Sequence, residues 1–181
     1  MSYCVILGNN FEDIEAVSFI DVLRRAKVAL DLFGVGADSI KSRSNVVYKT
    51  EKVFLKETDI DAGRYDGILL PGGPAVDALV KNSALLAVIR EFAGRGKLIF
   101  AICAGPRLLD AAGILGGKRY TCYPGTPISS GTHVDEAVVV DGNIITSQGV
   151  GTALAAALKL VEIIVSKEEA ANQAHKVLFR K

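Results

Sequence analysis

Cys103 stands where a thiol can be made reactive. The run Leu98-Ile99-Phe100-Ala101-Ile102 is wholly apolar and reads as a central strand, while Pro106 suits the first turn of a helix, where its missing N–H costs nothing. Cys103-Ala104-Gly105 must then turn sharply from strand to helix, the geometry of a nucleophile elbow with cysteine in place of serine. A thiol there faces unpaired N–H groups and the positive end of a helix, and both favour thiolate. A buried, inert cysteine is the competing reading, and it is the one expected for Cys4.

Two other segments can serve such a thiol. In Pro71-Gly72-Gly73-Pro74, the glycines allow main-chain N–H groups to approach a ligand. With the N–H of Ala104, those of Gly72 and Gly73 can form an oxyanion hole. A plain strand-to-helix turn is the alternative. Glu12-Asp13-Ile14-Glu15 opens a helix at the same edge of the fold. Acids in a first turn ordinarily partner the helix dipole. A carboxylate reaching Cys103 would instead create a like-charge conflict, relieved if the acid keeps its proton and hydrogen-bonds the thiolate. Such an acid can move protons during turnover.

Histidine is scarce. His175 falls in a polar terminal helix and His133 in or near a loop, so a Cys–His dyad through His133 is a weak alternative. No His/Cys cluster has metal-ligand spacing, and neither a metal nor another cofactor is expected. Ser147-Gln148-Gly149-Val150-Gly151-Thr152 lacks the ending of a Walker motif and the full GxGxxG pattern, and reads as a helix start.

The elements that must position these residues alternate. Strands are expected at 3–7, 28–35, 65–70, 97–102 and 119–122, with a small hairpin or edge feature at 46–55. Residues 13–26 have helical spacing, with Ile14, Val17, Ile20 and Leu23 on one face. A helix carrying Leu79, Leu85, Leu86, Ile89 and Phe92 follows the Pro-Gly-Gly-Pro turn, and another spans 106–112. Residues 137–140 and 144–147 resemble a hairpin about Asp141-Gly142. A long apolar helix at 150–165 and a polar one at 167–177 end the chain. Strands separated by helices imply an α/β fold with a mostly parallel sheet covered on both faces. Ligands bind such sheets beyond the carboxyl ends of the strands, which selects the loops at 8–12, 71–74, 103–105 and 123–127.

Bulk numbers agree with a single domain over residues 1–181. Half the residues are hydrophobic and 23% charged, with a net charge of +1, so nothing calls for nucleic acid or an anionic membrane as partner. Three cysteines without a CxxC pair make no disulfide framework. The N-terminal residues lack a basic region and reach Gly8 too soon for a signal peptide, so a reducing cytoplasm is expected.

The chain resembles the ThiJ/PfpI superfamily, in its parkinsonism-associated protein deglycase branch. The resemblance rests on Glu12-Asp13-Ile14-Glu15, Asp21-Val22-Leu23-Arg24-Arg25-Ala26, Leu70-Pro71-Gly72-Gly73, Ala101-Ile102-Cys103-Ala104-Gly105-Pro106 and Thr146-Ser147-Gln148-Gly149-Val150-Gly151-Thr152, in that order. It implies a flavodoxin-like three-layer sandwich, usually a homodimer, with Cys103 as nucleophile and Glu15 as its protonated partner. It sets the backbone of Gly73 and Ala104 beside the sulfur, and it makes Tyr123, Arg25 and Arg43 candidate pocket residues. The activities it implies are cofactor-independent glyoxalase or deglycase chemistry on a small reactive aldehyde or glycated substrate. The alternatives are an oxidative-stress sensor or chaperone acting through Cys103 oxidation, a cysteine peptidase, and a decayed site. One departure matters. In Thr121-Cys122-Tyr123-Pro124, Tyr123 takes the place where many members of the branch carry histidine, and a phenol titrating near pH 10 is a poor base at neutrality. Val150 stands where the branch often has proline.

Overall fold

Apolar runs of four to seven residues that alternate with helices find partners on both sides only in the middle of a sheet. In the computed structural model, which describes residues 1–180, those runs do form the centre of one sheet. In chain order the elements are β1 (Ser2–Leu7), α1 (Asp13–Arg25), β2 (Ala29–Val35), β3 (Ser39–Lys41), β4 (Val47–Lys49) and β5 (Lys52–Phe54). Then come β6 (Gly67–Leu70), α2 (Val76–Leu79), α3 (Ser83–Gly94), β7 (Leu98–Ile102) and α4 (Pro106–Ala111). The chain closes with β8 (Arg119–Tyr120), β9 (Thr132–His133), β10 (Val138–Asp141), β11 (Ile144–Ser147), α5 (Ala153–Ile164) and α6 (Lys167–Lys176).

The main sheet has seven strands in the order β10-β11-β7-β6-β1-β2-β5. All its pairings are parallel except β10 with β11. The core order β2-β1-β6-β7-β11 is the flavodoxin-like one, and the chain reverses direction across the sheet between β1 and β6. Helices α1, α5 and α6 pack together, as do α2, α3 and α4, giving the expected three-layer sandwich.

The phase of α1 differs from the sequence reading, and the difference positions the site. Its buried residues are Glu15, Ala16, Phe19, Val22 and Leu23. Spacings of four, seven and eight from Glu15 put one stripe against the sheet. Ile14 and Val17, expected inside, are 54% and 42% exposed. The ring of Phe19 meets that of Phe100 edge-on at 5.6 Å, so α1 is pinned to β7 one turn below Glu15 and three residues before Cys103.

Three smaller expectations also shift. Of the hairpin or edge feature expected at 46–55 the edge forms and the hairpin does not: β4 turns back on β3, and β5 joins the main sheet as a parallel edge strand beside β2. The helix after Pro-Gly-Gly-Pro is broken in two, because the Asn82 side chain accepts a hydrogen bond from the Leu85 N–H at 3.0 Å and caps a new start for α3. The β10–β11 hairpin pairs Asp141 with Ile144, so the turn is Gly142-Asn143, one residue later than expected. Among the described residues, no helix is long and apolar enough to cross a membrane.

Candidate active site

Cys103 follows the last residue of β7 and has φ of +62°, a left-handed conformation unusual for a residue with a Cβ. Such a conformation costs about 1–3 kcal/mol and persists only where its surroundings hold it. Neighbours hold it on both sides. The Cys103 N–H donates to Ser147 O at 3.0 Å, and Cys103 O accepts from the Tyr123 N–H at 3.0 Å. Glycines allow the close approach that this requires. A Cβ on Gly72 would stand 2.7 Å from the Cys103 Cβ and 2.9 Å from the Ala104 nitrogen. Gly73, with φ of +88°, passes so near the residue 10–12 loop that a Cβ there would meet Glu12 N at 2.7 Å.

Glu15 is fully buried. Its Oε2 accepts the Gly72 N–H at 2.8 Å, and its Oε1 has no well-formed hydrogen bond. Glu15 and Cys103 nonetheless act on each other strongly. Burial pushes the Glu15 carboxyl up to about 7, against the lowering pull of the Gly72 N–H and of Cys103. Burial, then the Glu15 charge and contact, push the Cys103 thiol up to about 12, although the N–H groups of Gly73 and Ala104 pull it down. From sequence, unpaired N–H groups facing the sulfur are expected to favour thiolate. They do, but on this sulfur burial and Glu15 weigh more.

The two values belong to the pair. Two negative charges cannot share this enclosure, so the first proton leaves near 7 and the second only near 12. Between those limits the pair holds one proton and one negative charge. Stability should show this. Below the ordinary carboxyl value of 4.5 folded and unfolded chains both keep the Glu15 proton; between 4.5 and about 7 only the unfolded chain releases it. Folding stability therefore falls as pH rises through that window. Glu15→Gln removes the loss, so the variant should gain on wild type from pH 4.5 to 7 and stand up to about 3 kcal/mol above it at pH 8. Urea unfolding at the two pH values reads the difference, and a constant offset would contradict the assignment.

Around Cys103 lies a cavity of about 620 Å³. Its lining includes Glu12, Gly73, Pro74, Cys103, Ala104, Tyr123 and Pro124, from all four of the loops picked out by sequence. Arg43 also lines it, and its Nη1 donates to Glu12 Oε2 at 2.8 Å. Asp77, Arg107 and residues 148–152 complete the wall and were not foreseen as site residues. Gly149 belongs at the sulfur: a Cβ there would be 3.8 Å from Cys103 Sγ. Its turn is closed by Thr152, whose hydroxyl lies 2.6 Å from Ser147 Oγ and bonds Gly149 O at 2.9 Å.

Arg25 corrects an expectation. It sits at the far end of α1, pairs with Asp21 at 2.7 Å on the exposed face, and does not line the cavity. Ten residues of helix separate it from Glu15, about 15 Å along the axis. Neither histidine lines the cavity either: the exposed His133 stacks edge-on against Tyr120, and His175 lies on the exposed side of α6. Tyr123 is 59% exposed at the rim. Cys4 and Cys122 are buried, which leaves Cys103 as the accessible thiol. Among the described residues, no group of three or more His, Cys, Asp or Glu could hold a metal ion.

Comparison with known proteins agrees with this architecture. A family model described as DJ-1/PfpI matches residues 1–163. The chain is 37% identical to the Parkinson disease protein 7 homolog of Danio rerio over 175 residues, 93% of this chain and 92% of that protein. It is 30% identical over 152 residues to a protein named as a deglycase from Pyrococcus horikoshii, covering 82% of this chain and 90% of the relative. The crystal structure of Drosophila melanogaster DJ-1beta superposes with a TM-score of 0.92 at 32% identity, covering 99% of this chain and 98% of that one.

Proposed function

Because the chain belongs to the DJ-1/PfpI family, we propose that it is a cofactor-independent enzyme of reactive carbonyls, converting α-oxoaldehydes such as methylglyoxal to hydroxy acids through Cys103. The observation that carries this reading is the placement of Cys103 on a left-handed elbow in the cavity, with Gly73 and Ala104 lining it and the fully buried Glu15 held on the Gly72 N–H behind it. Deglycase-named relatives support it.

The reactive form of the singly charged pair is the one with its charge on sulfur and its proton on Glu15. Thiolate there is partly solvated and faces two N–H groups, whereas carboxylate at Glu15 is fully buried with one oxygen unpaired. A proton on that oxygen turns it into a hydrogen-bond donor.

The thiolate adds to the aldehyde carbon, and the electron pair moves to oxygen. The Gly73 and Ala104 amides hold that oxyanion until it takes the Glu15 proton. The Glu15 carboxylate so formed removes the proton from the former aldehyde carbon and delivers it to the neighbouring carbonyl carbon, while the hydroxyl proton on the first oxygen passes to the second through the enediol. The first carbon is thereby oxidised to a thioester and the second reduced to an alcohol, so no external redox partner enters. Water then cleaves the thioester to release lactate and restore the thiol. Tyr123 holds the backbone of the elbow and takes no proton in this scheme. A homodimer is the assembly that the resemblance implies. The test is methylglyoxal consumption with lactate formation by wild-type protein; no turnover would overturn the reading.

A further inference from the structure

One feature of the cavity wall is unused by this chemistry. Arg107 follows Cys103 by one helical turn on α4, and its Nη1 hydrogen-bonds Asp77 Oδ1 on α2. Both residues line the cavity. Although Arg107 is an arginine, its side chain is only 24% exposed, while the Asp77 side chain is 71% exposed. That single hydrogen bond occupies one arm of a planar fork with five N–H donors, and among the described residues the remaining donors have no partner. Asp77 fixes the guanidinium without filling it. Cavity size points the same way: about 620 Å³ is the scale of sites for ligands far larger than a three-carbon aldehyde.

We propose that Arg107, oriented by Asp77, is an anion-binding subsite, and that the substrate is a carbonyl compound bearing a carboxylate or phosphate remote from its reacting carbon. This deepens the proposed function and rests on Cys103 being the reacting group. A guanidinium fork suits two-point recognition of an oxyacid, which a lysine would not provide.

Thiol probes of matched reactivity test it without requiring turnover. N-Ethylmaleimide is neutral; 3-maleimidopropionic acid and its phosphonate analogue carry the two candidate anions. The expected result is that Cys103 reacts about tenfold faster with at least one anionic probe, and that Arg107→Gln brings the ratio to about one. Arg107→Lys should keep only part of the preference. The anion that shows the larger ratio identifies the group recognised. If Arg107 only tied α4 to α2, its loss would slow all probes together and leave the ratio unchanged, which would overturn the subsite. A ratio that collapses with Arg43→Gln but survives Arg107→Gln would also overturn it. A readout independent of sulfur uses the unreactive 3-succinimidopropionic acid and its phosphonate with Cys103→Ser protein. A saturable shift of the Arg107 Nε–H resonance is expected with at least one of them, and its absence with both contradicts the proposal even if Cys103 proves inert.

Discussion

Cys103→Ser should lower methylglyoxal turnover by at least about a thousandfold, with the fold intact. A serine hydroxyl fits the space, and the constraints on the elbow are main-chain ones: Cys103 N–H to Ser147, Cys103 O from Tyr123, and the glycine at 72. What changes is the nucleophile, because an alcohol in this enclosure stays protonated through the whole range in which the pair titrates. Steady-state kinetics with lactate quantified as product checks the prediction, and circular dichroism checks the fold. Equal turnover in wild type and variant would remove Cys103 from the chemistry. Its accessibility beside the buried Cys4 and Cys122 would then point to oxidation sensing, since exposed thiols with thiolate character climb the oxidation ladder first.

The second large effect is expected for Glu15→Gln. Glutamine can still accept the Gly72 N–H, so the loop after β6 stays in place. It cannot carry a proton from one carbon to the next. A loss of about 10²- to 10⁴-fold in kcat follows, the usual worth of a general acid–base group. Wild-type kcat/KM should rise as pH passes about 7, where the pair loses its first proton. The variant should lack that rise. A retained rise with unchanged kcat would assign the proton transfer to another group, and neither histidine is in the cavity to take it.

Much of this site is legible in the chain because its signals are local. A five-residue apolar strand ending in Cys-Ala-Gly-Pro leaves few other conformations, and the left-handed Cys103 agrees with an elbow. Glu15 was harder to place. Its neighbours Ile14 and Val17 offered a more apolar helix face, and only tertiary packing, through Phe19 on Phe100, rotates the carboxyl inward. A charged residue as the first member of a buried stripe is unfavourable locally and is tolerated because the pair shares its proton. The loop at 148–152 reads in sequence only as a helix start, because nothing local marks it as a site; it reaches the cavity through β11, which pairs antiparallel with β10 and parallel with β7 and opens its carboxyl end beside Cys103. Arg107 had a signal in its spacing, one turn beyond Cys103. Asp77 has none, since only the tertiary fold brings α2 beside Arg107 on α4.

Everything in the proposed chemistry depends on which atom holds the shared proton at neutral pH. Thiolate absorbs near 240 nm, and subtracting the spectrum of Cys103→Ser isolates this sulfur from Cys4 and Cys122, whose thiols burial pushes up. Titrated from pH 5 to 9, the difference spectrum should show thiolate appearing as the pair loses its first proton, with Glu15 keeping its own. A flat difference throughout, with only the carboxyl ionising, would place the charge on Glu15 and contradict the account.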